Sequence, residues 1–450
     1  MNEKTSLWGL FLFNLIKTSI LVPWWDGGNM NKQTFKIMLA YVGVLTGAGL
    51  ASGQELLQYF VSLGINGLVG ISLVGILHML IGGILLILGS HYLATDHSDV
   101  FDEITNKFIS KFMDISLIFT CFVVGFVMLA GAGSNLNQAF GLNVNIGRIL
   151  CALLIIVVGM MDFSKVSKII GSFTPFIVGF VLIGSVYTFI NFKPDWQSLN
   201  AFATRLPANF DHVGFAVLNY FGMCLMTAVS MGLVLGGDEL STENAGKGGL
   251  MGGAIVGIMG VLITLTLLIR VEEVYNLDIP MLYIIEDISP ILGFIMALVV
   301  FGMIFNTGIS LFYALARRFS NGEERRFKIM LVVITGVGFV LSFLGFKKLV
   351  SIFYPIIGYI GIFMMAILVF AYFKERSSIR RESMKRLGIR HYMRKKLDDD
   401  LEFTKQDEER LNKLIDRSHI DNDQIEEKTE ETVQEAIDND EEPITDHGEN

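Results

Sequence analysis

TGAGLASGQE, Thr46–Glu55, is the stretch on which the fold turns. It interrupts an apolar run over 36–63 that would otherwise form one helix of about 42 Å, longer than the hydrocarbon of a bilayer is thick. Gly47, Gly49 and Gly53 supply a permissive backbone for a break. Ser52, followed three residues later by Glu55, has the spacing of a capping box that would start a new helix. The stretch therefore predicts two half-helices joined by an unwound segment, which a bilayer tolerates only where protein or a watery cavity surrounds it. Freed amides and carbonyls at such a break attract anions and cations respectively. Gly47, Gly49, Ala51, Ser52 and Gly53 are accordingly candidate substrate-binding positions. Glu55 has three open readings: a helix cap favoured by the macrodipole, a carboxylate coupled to a cation or proton, and a direct substrate contact. The cost of an ionisable group at membrane depth makes the functional readings worth weighing.

The rest of the chain fits a membrane. Of 450 residues, 52% are hydrophobic, too many for one soluble core. Polar breaks divide the apolar sequence into ten spans, over 36–63, 66–90, 112–140, 146–161, 169–192, 212–236, 249–270, 290–316, 327–345 and 349–373. Lipid offers no hydrogen-bond partners, so these are helices, and strand alternation is absent, which removes the barrel alternative. With the segment before the first span inside, twelve Lys and Arg fall in inner connections, Lys165 and Lys168 among them, against six in outer ones. That asymmetry predicts cytoplasmic termini. Cys121, Cys151 and Cys224 lie in apolar spans without metal or redox spacing and read as packing residues.

The ends differ from the middle. Residues 1–29 carry a marginal apolar run, readable as an extra helix, a signal-like segment or, preferred here, a start-site artefact, because Met30 opens an ordinary cytoplasmic entry. Residues 30–375 form the membrane domain. Residues 376–397 are basic and suited to anionic lipid headgroups. Residues 398–450 are acidic and poor in apolar residues, which predicts a disordered tail or at best a short solvated helix. The tail dominates the formal charge of −9: residues 401–450 hold 18 acidic and 5 basic residues.

Span six starts about 176 residues after span one, and that offset places Gly47 beside Gly222. Asn219, Tyr220, Gly222, Thr227 and Ser230 make span six polar near its middle, so a second interruption is expected there, with Asn219, Tyr220 and Gly222 lining a cavity. Odd span number reverses the second copy, as in an inverted repeat. The stretch GAGLASGQELLQYF, Gly47–Phe60, resembles the YkvI-like family of bacterial membrane proteins. More distantly it resembles the amino acid, polyamine and organocation superfamily with the leucine-transporter-like fold. The resemblance covers about residues 30–375. It implies an all-α integral membrane protein of two inverted five-helix repeats with helices 1 and 6 discontinuous. It also implies a small solute bound among helices one, three, six and eight, and sodium or proton coupling. Helix eight offers Thr307 and Ser310 as cation ligands, although they are three residues apart where sodium-coupled relatives place adjacent hydroxyls. Back-bonding to their own helix is an equal reading.

His78, in span two, is either a neutral inter-helix histidine or a proton relay. Gly131–Gln138 reads as an interfacial helix end, Glu272–Pro290 as a gate or a plain outer loop, and Asp238 and Glu239 as a solvated helix terminus. No catalytic or metal motif is present, no cofactor is implied, and an acidic tail disfavours nucleic acid. The sequence thus points to a multi-pass bacterial inner-membrane protein that carries a small, amino-acid-like solute by alternating access. A non-transporting sensor or assembly subunit on the same fold is the alternative, and an ion channel the weaker rival. One chain does not reveal an oligomeric state.

Overall fold

A computed structural model describes residues 31–161, 173–398 and 400–438. The N-terminal extension, Lys165 and Lys168, the start of span five and the last twelve residues of the tail lie outside them. Among the described residues no strand is present and seven helices are long and apolar enough to cross a membrane. The first span comprises three pieces, α1 (Lys32–Leu45), α2 (Ala48–Ser52) and α3 (Gln54–Tyr59). Next come α4 (Ile65–Tyr92), the short α5 (His97–Ile104), α6 (Lys107–Phe140), α7 (Val144–Gly159) and α8 (Thr174–Asn191). The second half has α9 (Trp196–Ala203), α10 (Val213–Gly237), α11 (Thr242–Ile269), and a hairpin of α12 (Val271–Val274) and α13 (Pro280–Ile288). It continues with α14 (Pro290–Ser320), α15 (Glu324–Ser342), α16 (Phe346–Leu397), α17 (Lys405–Asp416) and α18 (Asn422–Asp438).

Small residues decide which helices meet. Gly75 faces Gly257 and Gly83 faces Gly246 across α4 and α11, so the two backbones approach closely. Lipid gives no hydrophobic drive between helices, and such approach gains dispersion instead. Two groups of helices follow from the packing. The first contains α1, α4, α10 and α11, and the second α6, α7, α14 and α15. Helix α16 packs on α10 of the first group and α6 of the second.

The face on which α1 begins and α16 ends is here the terminal face. There a polar chain ties the groups together: His97 Nδ1 lies 3.1 Å from Ser230 Oγ on α10, and its Nε2 3.5 Å from Asp114 Oδ1 on α6. Arg318 of α14 pairs with the same Asp114. At the opposite face the α12–α13 hairpin is fastened to α6. Ser134 donates to Asp278 at 2.5 Å, and Gln138 exchanges two hydrogen bonds with the Ile279 backbone. Lys347 adds a bond to the Tyr275 carbonyl at 2.8 Å. Residues 131–136 are therefore buried and, with half-buried Gln138, dock the hairpin and α14, where Asn135 donates to the Ala297 carbonyl, so that of the interfacial end expected only Asn137 is exposed.

Four further expectations are corrected. Helix α10 is continuous over Val213–Gly237, because its polar residues are satisfied without unwinding. Asn219 donates to the Pro355 carbonyl, and Thr227 bonds back to Cys224 within its own helix. Gly222 lines no cavity; it lets the α16 backbone at Gly358 and Gly361 press against α10. Glu239 is buried and accepts from the Ser241 amide at 2.9 Å, so it is no solvated terminus. Finally, the basic segment is the continuation of α16, and much of the acidic tail is helical and docked.

The packing at Gly361 generates a test. A Cβ there would fall on the Gly222 carbonyl, backbone that cannot rotate away, whereas one at Gly336 meets nothing within 4 Å. Gly361→Ala should cost about 1–3 kcal/mol by overpacking and lower the thermal unfolding midpoint in detergent. Gly336→Ala should leave it unchanged or slightly raised.

Candidate functional site

The first span breaks twice. Thr46 ends α1 with φ −82° and ψ 64°, and its hydroxyl bonds back to the Val42 carbonyl at 2.7 Å. Gly47 is extended, with φ −72° and ψ 177°, and opens α2. Gly53, at φ 78°, adopts the left-handed conformation that favours glycine and ends that single turn. Gly49, Ala51 and Ser52 therefore lie within a short helix, and the non-helical positions are Thr46, Gly47 and Gly53.

The capping box does not form. Left-handed Gly53 restarts the helix one residue late, so Ser52 Oγ accepts from the Gln54 amide at 3.1 Å and itself donates to the Gly49 carbonyl at 2.8 Å. Glu55 is thereby turned inward. Its carboxyl folds back over Gly49, where a Cβ would fall on Oε1. Tyr220 of α10 donates to Oε2 at 3.4 Å, and the Tyr354 hydroxyl of α16 is a second hydrogen-bond partner. Cys224 adjoins the same carboxyl and Tyr220. Rings enclose the group: Tyr59 and Phe60 each lie 5.2 Å from Tyr220 between centroids. The Tyr59 hydroxyl donates to Asn219 at 2.9 Å. Glu55 is buried, and among the described residues no ion pair reaches it.

Of the positions read from the sequence, the structure brings Gly49, Glu55, Asn219 and Tyr220 together. Gly222 serves packing. His78, on α4, rests edge-on against the Phe221 ring at 5.0 Å, a partner that neither accepts a proton nor carries charge. Thr307 and Ser310 are half-buried on α14, the helix that packs against α2. Sequence reasoning missed Tyr59 and Tyr354, the latter set between Phe353 and Pro355 in an apolar run without polar signal. It also missed a set of amides: both side-chain polar atoms of Gln54, Gln58 Oε1 and Asn306 Oδ1 are buried without a hydrogen-bond partner. Each such atom costs about 1–3 kcal/mol when left dry and unpaired.

Comparison with known proteins agrees with this architecture. No protein-family profile matches the chain. It is 25% identical over 327 residues to the uncharacterized membrane protein YkvI of Bacillus subtilis, covering 73% of this chain and 92% of that one. A second Bacillus subtilis protein, the uncharacterized YyaD, is 24% identical over 335 residues, covering 74% and 95%. Among solved structures, MhsT in complex with L-phenylalanine superposes with a TM-score of 0.54 at 13% identity, covering 90% of this chain and 98% of that one. The chain is similar to these membrane proteins and has the leucine-transporter-like fold of a multi-pass membrane protein.

The two glycines before Glu55 make distinguishable predictions. Gly49→Ala should expel the carboxyl and abolish whatever the site binds, while Gly47→Ala, with open space around it, should be tolerated. Ligand-induced thermal shifts compare the pair directly, since a ligand stabilises the state it binds.

Proposed function

We propose that the protein is a secondary transporter that carries a small solute by alternating access around the double break in its first span. The carrying observation is Glu55: a buried carboxyl with only hydroxyl partners, over the break, between helices of both halves of the chain. Such a group in an apolar interior holds either a proton or a cation. Exchange of one for the other during the cycle would couple solute movement to a proton or sodium gradient. The unpartnered Gln54 side chain and Gln58 Oε1, on the same short helix as Glu55, support a polar ligand beside it, because bound solute would satisfy them. Thr307 and Ser310, on the helix facing α2, are proposed as further cation contacts. The amino-acid-like solute proposed from the sequence is supported by the L-phenylalanine bound to MhsT.

On this reading the termini are cytoplasmic, as the Lys and Arg asymmetry predicts. The exposed Lys374, Arg380 and Arg381 then meet anionic headgroups at the inner leaflet of a bacterial membrane. One observation favours the sensor alternative: a folded C-terminal unit docked on the membrane helices offers a means of passing on occupancy without flux.

Proteoliposome uptake of radiolabelled amino acids tests the reading. Wild type should accumulate solute down an imposed proton or sodium gradient, saturably. Glu55→Gln, which keeps the shape but loses the charge, should lose gradient-driven accumulation by more than about tenfold, a barrier of only about 1.4 kcal/mol, while retaining passive exchange. Undiminished uphill transport by Glu55→Gln would refute the coupling role, and binding without flux in wild type would favour the sensor.

A further inference from the structure

Helix α16 runs 52 residues, yet its apolar sequence ends near Phe373. Beyond that point Ile379, Glu382, Arg386, Ile389 and Met393 are buried at intervals of three or four, one helical face. A second hydrophobic core covers it, to which Leu93 after α4, Leu240 after α10, Leu411 of α17 and Val433 of α18 contribute.

Arg386 is the bolt. Its guanidinium is buried and donates to the carbonyls of Ser90 and His91, each at 2.7 Å, and of Leu240 at 3.4 Å. It thus caps the end of α4, where a cation complements the helix dipole, and ties it to the turn between α10 and α11. Glu382 neutralises it, with Nε to Oε1 at 3.4 Å, and accepts from Ser418 at 2.5 Å; His419 Nδ1 stands 3.3 Å away and Lys385 3.1 Å away. Burial pushes this carboxyl upward, but the His419 and Ser418 bonds and the Arg386 charge hold it well below the usual carboxylate range. The His91 and His419 rings stack with centroids 4.3 Å apart.

From there α18 crosses the terminal face. Gln424 donates to the Leu93 carbonyl at 3.2 Å, Lys428 stands 3.6 Å from Asp238 at the end of α10, and Glu435 pairs with Lys36 of α1 at 3.2 Å. The membrane-helix partners are α1 and the ends of α4 and α10, all in the first helix group. Helix α1, which packs on α11 and α10, is separated from α2 by the break at Thr46 and Gly47, and its Lys36 pair with Glu435 is exposed on both sides.

We propose that the C-terminal helices form a clamp that holds α1 closed against α4, α10 and α11, so that the break opens to the terminal face only when α18 releases it. The clamp rests on the alternating-access reading, but its test reads opening directly and needs no transported solute. Cys224, beside Glu55, is the reporter, in a full-length chain carrying Cys121→Ser and Cys151→Ser and held in lipid nanodiscs. Alkylation of Cys224 by a maleimide should be several-fold faster in Arg386→Gln. Conversely, Lys36→Cys joined to Glu435→Cys by a short bifunctional maleimide should slow Cys224 modification by a second, mass-distinct reagent, relative to the same variant left uncross-linked. The cross-linked arm decides alone if Arg386→Gln fails to fold. A cross-linked chain whose Cys224 reacts as fast as the uncross-linked control overturns the clamp. Unchanged alkylation in a folded Arg386→Gln does the same. A wild type that moves no solute, with alkylation still governed by the clamp, would instead remove the transport reading.

Discussion

The carboxyl of Glu55 is the constraint around which the rest is arranged. A charge or a lone acid at this depth is costly unless something local compensates it. Here the compensation is supplied by hydroxyls: Tyr220 from α10 and Tyr354 from α16 converge on it. The carboxyl reaches them because Gly49 leaves room beneath it and Gly53 turns the chain at the required residue. Break, glycines and tyrosines form one device, since substituting any of them leaves a buried acid with fewer partners. Tyrosine is well suited to the task because it stabilises either protonation state, donating to the carboxylate and accepting from the acid.

Seen this way, the continuity of α10 is informative. A second unwound segment would add freed backbone groups opposite the first, a symmetrical cradle for a polar solute. The protein instead presents side chains there. Asn219 joins Tyr59 of the first span to the Pro355 carbonyl of α16 and so fixes the ring cluster around the carboxyl. Gly222 and Gly361 bring the α10 and α16 backbones together. Rigidity on the α10 and α16 side, with breaks on the α1 side, concentrates backbone freedom in the first span.

The broken first span and the membrane class were legible in the sequence because both rest on local signals: hydropathy over twenty residues and three closely spaced glycines. Glu55 stood out for the same reason, as a charge in an apolar run. Its partners were not legible, since Tyr220 and Tyr354 reach it only through packing of distant helices. The Ser52 and Glu55 spacing misled because a left-handed Gly53 between them breaks the helical register that a capping box assumes. In span six, polarity was read as a break when it reflected bonds made sideways to neighbouring helices. The tail was misread through composition: net charge and low hydropathy outweighed Leu411 with Ile415 and Ile425 with Val433, apolar positions at whole-turn spacing that gave each helix a buried face.

That buried face changes how the two helix groups can move. The groups meet at the terminal face through Ser230, His97, Asp114 and Arg318, a chain of polar contacts. Within the first group, by contrast, α4 and α11 touch backbone to backbone, and Arg386 joins the end of α4 to the turn before α11. Separating those helices would strand a buried guanidinium, a far larger penalty than parting a half-exposed ion pair. Separating α4 from α11 is therefore disfavoured. Two motions remain: the whole group tilts against α6, α7, α14 and α15 with the tail riding on it, or α1 alone hinges at Gly47. Only the second requires the Lys36 to Glu435 contact to break. The tail thus adds to the second motion an exposed ion pair that the first leaves intact.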